Sequence, residues 1–177
     1  MRLEQHIVDT LKEWQLKIGE SSTDISLFYP NDSLREYLDI ANKPLPSELA
    51  VIVKDYLNNN AEYLDNVVVT PEVDDRMCIK IPPAGCKYVN RNVMASELLE
   101  NILAALKLQD LDAIRNVFKE FANKNGGYVI EDKSEGHSGA VLYFNNEDID
   151  PYVYCFEQDD FGVTYHRFAR SDYDKLK

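Results

Sequence analysis

Basic residues are scarce in this chain. Its 177 residues hold 19 Lys and Arg against 31 Asp and Glu, a formal net charge of −12. Nucleic-acid backbones are held by Lys and Arg that displace counterions, so this balance argues against a phosphate-tracking surface. It disfavours anionic membrane surfaces for the same reason. It suits a basic protein partner, and it also serves solubility. Cysteine is scarce too. Cys78, Cys86 and Cys155 make an odd number with no Cys-x-x-Cys pair. A secreted disulfide framework is therefore not expected, and a reducing cytoplasm is. No run approaches the length of an apolar membrane span. The first residues, Met1 to His6, lack the apolar core and small-residue cleavage site of a signal peptide. Nor is there a Gly-rich phosphate loop, a Lys-Ser/Thr ending after glycines, or a glycine fingerprint after a strand.

What is present is amphipathic periodicity. Leu3, Ile7, Leu11, Trp14 and Ile18 recur at helical spacing, with Gly19 as a stop. Ile25 to Tyr29 is a short apolar run closed by Pro30. Ser33-Leu34-Arg35-Glu36 has the form of a capping box and predicts a short helix to about Ala41. Pro46 or Ser47 opens another, with Leu49, Ile52, Val53, Tyr56 and Leu57 on one face. Val67 to Val69 and Met77 to Ile81 read as short strands, closed by Pro82-Pro83-Ala84-Gly85, the one tempting boundary. Leu98, Leu99, Ile102, Leu103 and Leu106 form a wide apolar helical face. A second helix carries Leu111, Ile114, Phe118 and Phe121, with Asp110 as its cap.

From Gly126 the pattern changes. Tyr128–Ile130, Ala140–Phe144, Tyr152–Phe156 and Phe161–Phe168 are β-branched and aromatic runs split by Gly, Asp, Asn and Pro clusters, the mark of an antiparallel meander. Asp159-Asp160 with Gly162 reads as a hairpin reversal. The expected fold is α+β: N-terminal and central helices packed on a C-terminal antiparallel β-meander. It is read as one domain over 1–177, helix-rich over 1–125 and meander over 126–170. Nine acids against three bases between Gly127 and Arg170 make that part the more acidic.

Candidate chemistry is thin. His6 lies on the flank of the first helix. His137 sits in a Gly-rich connection between strands, where functional loops concentrate. Alternation puts Phe161, Val163, Tyr165 and Arg167 on one strand face and Gly162, Thr164, His166 and Phe168 on the other, so His166 is expected to point outward. A Cys155–His166 dyad is conceivable on paired strands, although apolar surroundings would suppress the thiolate. Cys78 and Cys86 lack further ligands for zinc. Asn145 to Asp150 is oxygen-rich but lacks calcium-loop spacing. No catalytic, metal or cofactor set is therefore assigned. Tyr152, Tyr154 and Phe156 share one face, and with His166 and Arg167 they form the candidate binding surface, because Tyr-rich faces suit protein interfaces.

Tyr154-Cys155-Phe156, then Val163-Thr164-Tyr165-His166-Arg167-Phe168, then Ser171-Asp172-Tyr173, resembles the C-terminal signature of a small bacterial family known only as a domain of unknown function. The resemblance covers about the last 50 residues. It implies a cytoplasmic bacterial protein and carries over no catalytic residue. The order of helices and meander is also similar to that of acidic immunity-type proteins that block basic toxins, an analogy of fold and charge alone. The leading expectation is a non-catalytic protein-interaction module with a basic partner. The alternatives are a hydrolase using His166 and a small-ligand sensor domain.

Overall fold

The structure is a computed structural model that describes residues 2–20, 22–132 and 139–173, with the side chains of 171 and 172 left aside. Its contacts group into two compact units, Met1–Ser96 and Glu97–Lys177.

In the first unit, α1 (Leu3–Ile18) is followed by β1 (Ile25–Pro30), α2 (Asn31–Tyr37), α3 (Pro46–Asn60), a 3-10 turn (Glu62–Leu64), β2 (Val68–Pro71), β3 (Arg76–Ile81) and α4 (Pro83–Asn92). The three strands form an antiparallel sheet in the order β1-β3-β2. Alternation sends Ile25, Leu27 and Tyr29 of β1, and Met77, Ile79 and Ile81 of β3, into a core shared with Leu3, Ile7, Leu11, Leu49, Val53 and Leu57. The opposite sheet face carries Phe28, with the Arg76 guanidinium 5.4 Å from its ring centroid.

Three local expectations are corrected. Trp14 and Ile18 do not extend the α1 stripe inward; they are 41% and 65% exposed. The packed face ends at Leu11, and the helix instead buries Val8, Asp9 and Glu13 on other sides. The second helix begins at Asn31, ahead of the Ser33 box, and ends at Tyr37. Asn31 is held there because Asp75 accepts both its backbone N–H (3.0 Å) and its side-chain amide (2.7 Å). Pro82 to Gly85 is the entry to α4, with Pro83 in its first turn. That helix carries only Gly85, Cys86 and Val89 inward, too short a stripe to stand out in the sequence. Gly85 has a steric reason to be there: a Cβ at that position would run into the backbone oxygen of Leu64.

The second unit contains α5 (Glu97–Leu106), α6 (Leu111–Lys124), β4 (Val129–Asp132), β5 (Ala140–Phe144), β6 (Tyr152–Asp159), β7 (Gly162–Ala169) and the short α7 (Arg170–Tyr173). Asp110 caps α6 as expected, accepting the Asp112 N–H at 2.8 Å. The four strands pair antiparallel in the order β4-β5-β6-β7, so the meander is a sequential sheet. Phe118 of α6 lies against Phe144, Tyr154 and Phe156, with ring centroids 5.5, 5.1 and 5.9 Å away. The observed class is α+β, with helices and a C-terminal antiparallel sheet.

Gly85→Ala has a definite expected outcome. Alanine gains about 1 kcal/mol in helix propensity, but overpacking costs about 1–3 kcal/mol. The obstacle is a backbone oxygen that cannot rotate away, so the clash wins. The urea midpoint should fall with an unchanged m-value.

Candidate functional site

The β6–β7 hairpin holds every residue of the expected binding surface, and it divides them. Tyr152, Tyr154 and Phe156 are only 8%, 2% and 1% exposed. Their rings face α6 and form part of the interior. In the pairing of β6 with β7, Tyr154 stands opposite Arg167, Phe156 opposite Tyr165, and Cys155 opposite His166. Arg167 joins the inward set, its guanidinium 4.4 Å from the Tyr152 ring centroid. His166 is exposed on the other face, as alternation predicts.

The structure adds a residue the sequence did not single out. Asp150 is buried just before β6. Its carboxylate accepts the Tyr152 N–H at 2.9 Å and the Tyr154 hydroxyl at 3.3 Å. A buried carboxylate is costly unless it is hydrogen-bonded, and here it ties the strand start to a phenol four residues on. Asp150, Tyr152, Tyr154 and Arg167 thus come together as a polar knot beneath α6. In sequence, Asp150 was one more acid in an oxygen-rich turn.

On the opposite face, Cys155 faces His166 across the strands. Burial first, then the negative charges of Glu157 and Asp132, hold the Cys155 thiol above its ordinary value. That is the wrong direction for a nucleophile, which needs the thiolate. The His166 ring lies 6.3 Å from that of Phe168. Arg170 at the start of α7 places its guanidinium 4.8 Å from the Tyr143 ring centroid and donates to the Phe144 carbonyl. His137 lies outside the described residues. Among the described residues, no group of three His, Cys, Asp or Glu side chains could hold a metal ion.

A groove of about 700 Å³ runs along α5 and α6. Ala104, Ala105, Leu108, Ala113, Val117 and Phe121 line it, and Glu97, Glu120 and Lys124 supply its charges. Lys124 is paired with Glu97 at 2.8 Å. Leu108, at one end, is 68% exposed. The next residue, Gln109, has φ 54°, and its side-chain oxygen accepts the Val163 N–H of β7 at 2.6 Å. Its amide nitrogen donates back to the Leu106 carbonyl at 2.9 Å. The β6–β7 turn is pinned on its other side by Asp159, which accepts from Phe161 N (2.8 Å) and Gly162 N (3.1 Å). Gly162 has φ 135°, and a Cβ there would overlap the Gln109 side chain, so the turn requires glycine. Between these ties, Phe161 is 97% exposed.

In the first unit, several polar side chains pair with one another. His6 is half-buried, not a free flank residue. Its Nδ1 lies 2.8 Å from the Tyr29 hydroxyl, and its ring packs against Tyr29 and Tyr37 with centroids 5.4 Å away in each case. Glu4 accepts the Tyr56 hydroxyl at 2.6 Å. Burial, then that bond and the Glu4 charge, push the Tyr56 phenol up to about 12. Burial and Glu4 raise Tyr63 as well. Asp9 is fully buried, and one oxygen accepts from Gln5 Nε2 (3.0 Å) and Ser96 N (2.7 Å).

These features define an acidic α+β protein in which Glu4 and Asp150 accept tyrosine hydroxyls, with a groove and an exposed aromatic turn on the second unit. The chain belongs to the family described as "Domain of unknown function, E. rectale Gene description (DUF3877)", whose model matches residues 1–177. The match thus extends over the whole chain, well beyond the C-terminal strings where a resemblance is visible by eye. No curated protein and no solved structure matches the chain.

Two measurements follow from the pKa directions. Alkylation of Cys155, followed site by site by mass spectrometry, should rise with pH at a midpoint above that of an unperturbed thiol. A midpoint near neutrality would revive the Cys155–His166 pair. For Tyr56, the folded value of about 12 lies above the ordinary 10.0. Its stabilising contribution is therefore complete below pH 10 and is lost as pH rises towards 12. Tyr56→Phe should remove that part of the alkaline loss of stability. Glu4→Gln should shift the late phenol ionisation, followed by ultraviolet absorbance, to lower pH.

Proposed function

We propose that this chain is a non-catalytic, acidic protein-interaction module. The observation that supports this most is that the Glu4–Tyr56 and Asp150–Tyr154 pairs lie outside the groove, whose charged lining is Glu97 paired with Lys124, and Glu120. Glu4 and Asp150 are each bonded to a tyrosine hydroxyl, while Ala104, Ala105, Leu108, Ala113, Val117 and Phe121 give the groove an apolar floor between its polar residues. A catalytic site needs an acid, a base or a nucleophile aimed into a pocket. An apolar groove with an exposed leucine at its end suits a packed protein segment instead.

The partner in this reading is a basic protein. The net charge of −12 favours it, since opposite charges speed encounter and reject wrong partners. The same charge argues against nucleic acid and anionic membranes as ligands. Among the described residues, no helix is long and apolar enough to cross a membrane. The free cysteines Cys78, Cys86 and Cys155 fit a reducing bacterial cytoplasm.

The test is reconstitution. The full chain is used as bait in its native cells, and each co-purifying protein is made separately and titrated against it by calorimetry. A complex with a basic protein is expected, weakening as salt shortens the Debye length from about 30 Å at 0.01 M to about 8 Å at 0.15 M. No reconstituted complex, together with a hydrolytic activity that His166→Ala abolishes, would replace this reading with the enzymatic one.

A further inference from the structure

We propose that the β6–β7 turn is the anchor of this interaction surface, with Phe161 entering an apolar cavity on the partner whose rim carries Lys and Arg. The inference rests on the interaction-module reading and names where and how it is carried out. Large aromatic side chains that dominate interfaces are rigidly presented and become fully desolvated on binding. Phe161 is presented in that way. It is 97% exposed, so it contributes almost no burial to the fold. Its backbone is nevertheless fixed. Asp159 holds the amides of Phe161 and Gly162, and Gln109 holds that of Val163. Little conformational freedom would be lost when the ring docks.

Charge complementarity selects the partner. Glu157, Asp159 and Asp160 precede Phe161 and are all exposed, and the stretch from Cys155 to Thr164 contains no base. Asp110, exposed, follows the Gln109 that ties to Val163, and Leu108, 68% exposed, precedes it. An apolar tip ringed by carboxylates favours an apolar cavity ringed by cations. It disfavours a second copy of this chain, which would bring the same acids face to face.

The experiment uses the full chain and the purified basic protein from the reconstitution above. Phe161→Ser should weaken the complex by about tenfold or more, with the thermal midpoint of the free chain unchanged because the ring is already in water. Phe161→Leu should retain part of the affinity. Glu157→Lys with Asp160→Lys should weaken the complex and flatten its salt dependence. Benzoylphenylalanine at position 161 should crosslink to the partner, next to its basic residues. If the partner binds the Phe161→Ser chain as tightly as the original, the anchor is wrong while the module reading stands. If wild-type chain self-associates in sedimentation and Phe161→Ser dissolves the dimer, the occupant is a second copy and the proposal fails. If no partner binds at all, the module reading itself fails, and this inference with it.

Discussion

Phe118 is the residue around which the second unit is assembled. It projects from α6 onto the meander and meets rings from two strands, Phe144 of β5 and Tyr154 and Phe156 of β6. Tyr165 of β7 stacks on Tyr154 and Phe156 at 6.5 and 5.6 Å, which extends the cluster to the outermost strand. Edge-to-face and offset ring pairs gain about 0.5–1.5 kcal/mol beyond the area they bury. One helix position thus fixes which face of the sheet is interior. Because side chains alternate along a strand, that choice dictates the rest: Cys155 and His166 must point away, and Arg167 must point in. The inward arginine rests on the Tyr152 ring, beside the turn where Asp150 is buried.

The same choice shapes what the unit can do. With Tyr152, Tyr154 and Tyr165 turned inward, much of the meander's aromatic content is spent on cohesion. Among the described residues of this unit, the exposed large apolar side chains are Leu108, Tyr128 and Phe161, and Gln109 ties the loop after Leu108 to Val163 beside Phe161. The first unit behaves similarly. Its acids near the core are engaged, Glu4 with Tyr56 and Asp9 with Gln5 and Ser96. In both units acidity at the surface coexists with internal carboxylates that serve packing. A large negative charge therefore says more about encounter with other molecules than about reactivity.

Much of this was legible in the residues. The α6 stripe and its Asp110 cap, the strands over 152–156 and 162–168, the turn at Asp159 and the outward direction of His166 follow from spacing alone; Phe161, read as the first residue of the inward face, instead sits exposed in the turn. Periodicity identifies two faces but not which one a neighbour covers. Tyr152, Tyr154 and Phe156 read as one face that either packs or docks; in the structure Phe118 packs on Tyr154 and Phe156. Helix α4 was missed because glycine and proline at its start read as a break. The glycine is there because the Leu64 backbone comes too close for any side chain. Asp150 was illegible for a different reason. Among many acids in a polar turn, nothing local marks the one that will be enclosed. The Ser33 box is overridden by a contact from far along the chain, Asp75 on Asn31, which starts the helix three residues earlier.

The tie from Gln109 to Val163 reaches past docking. Strand β7 is the last strand of its sheet, and an outer strand offers backbone donors on which further chains can stack into fibrils. A side-chain carbonyl already sits on the Val163 amide, where such growth would begin from the turn. The left-handed backbone at Gln109 orients this plug, so a kink in one loop removes one outward donor from the edge of the sheet.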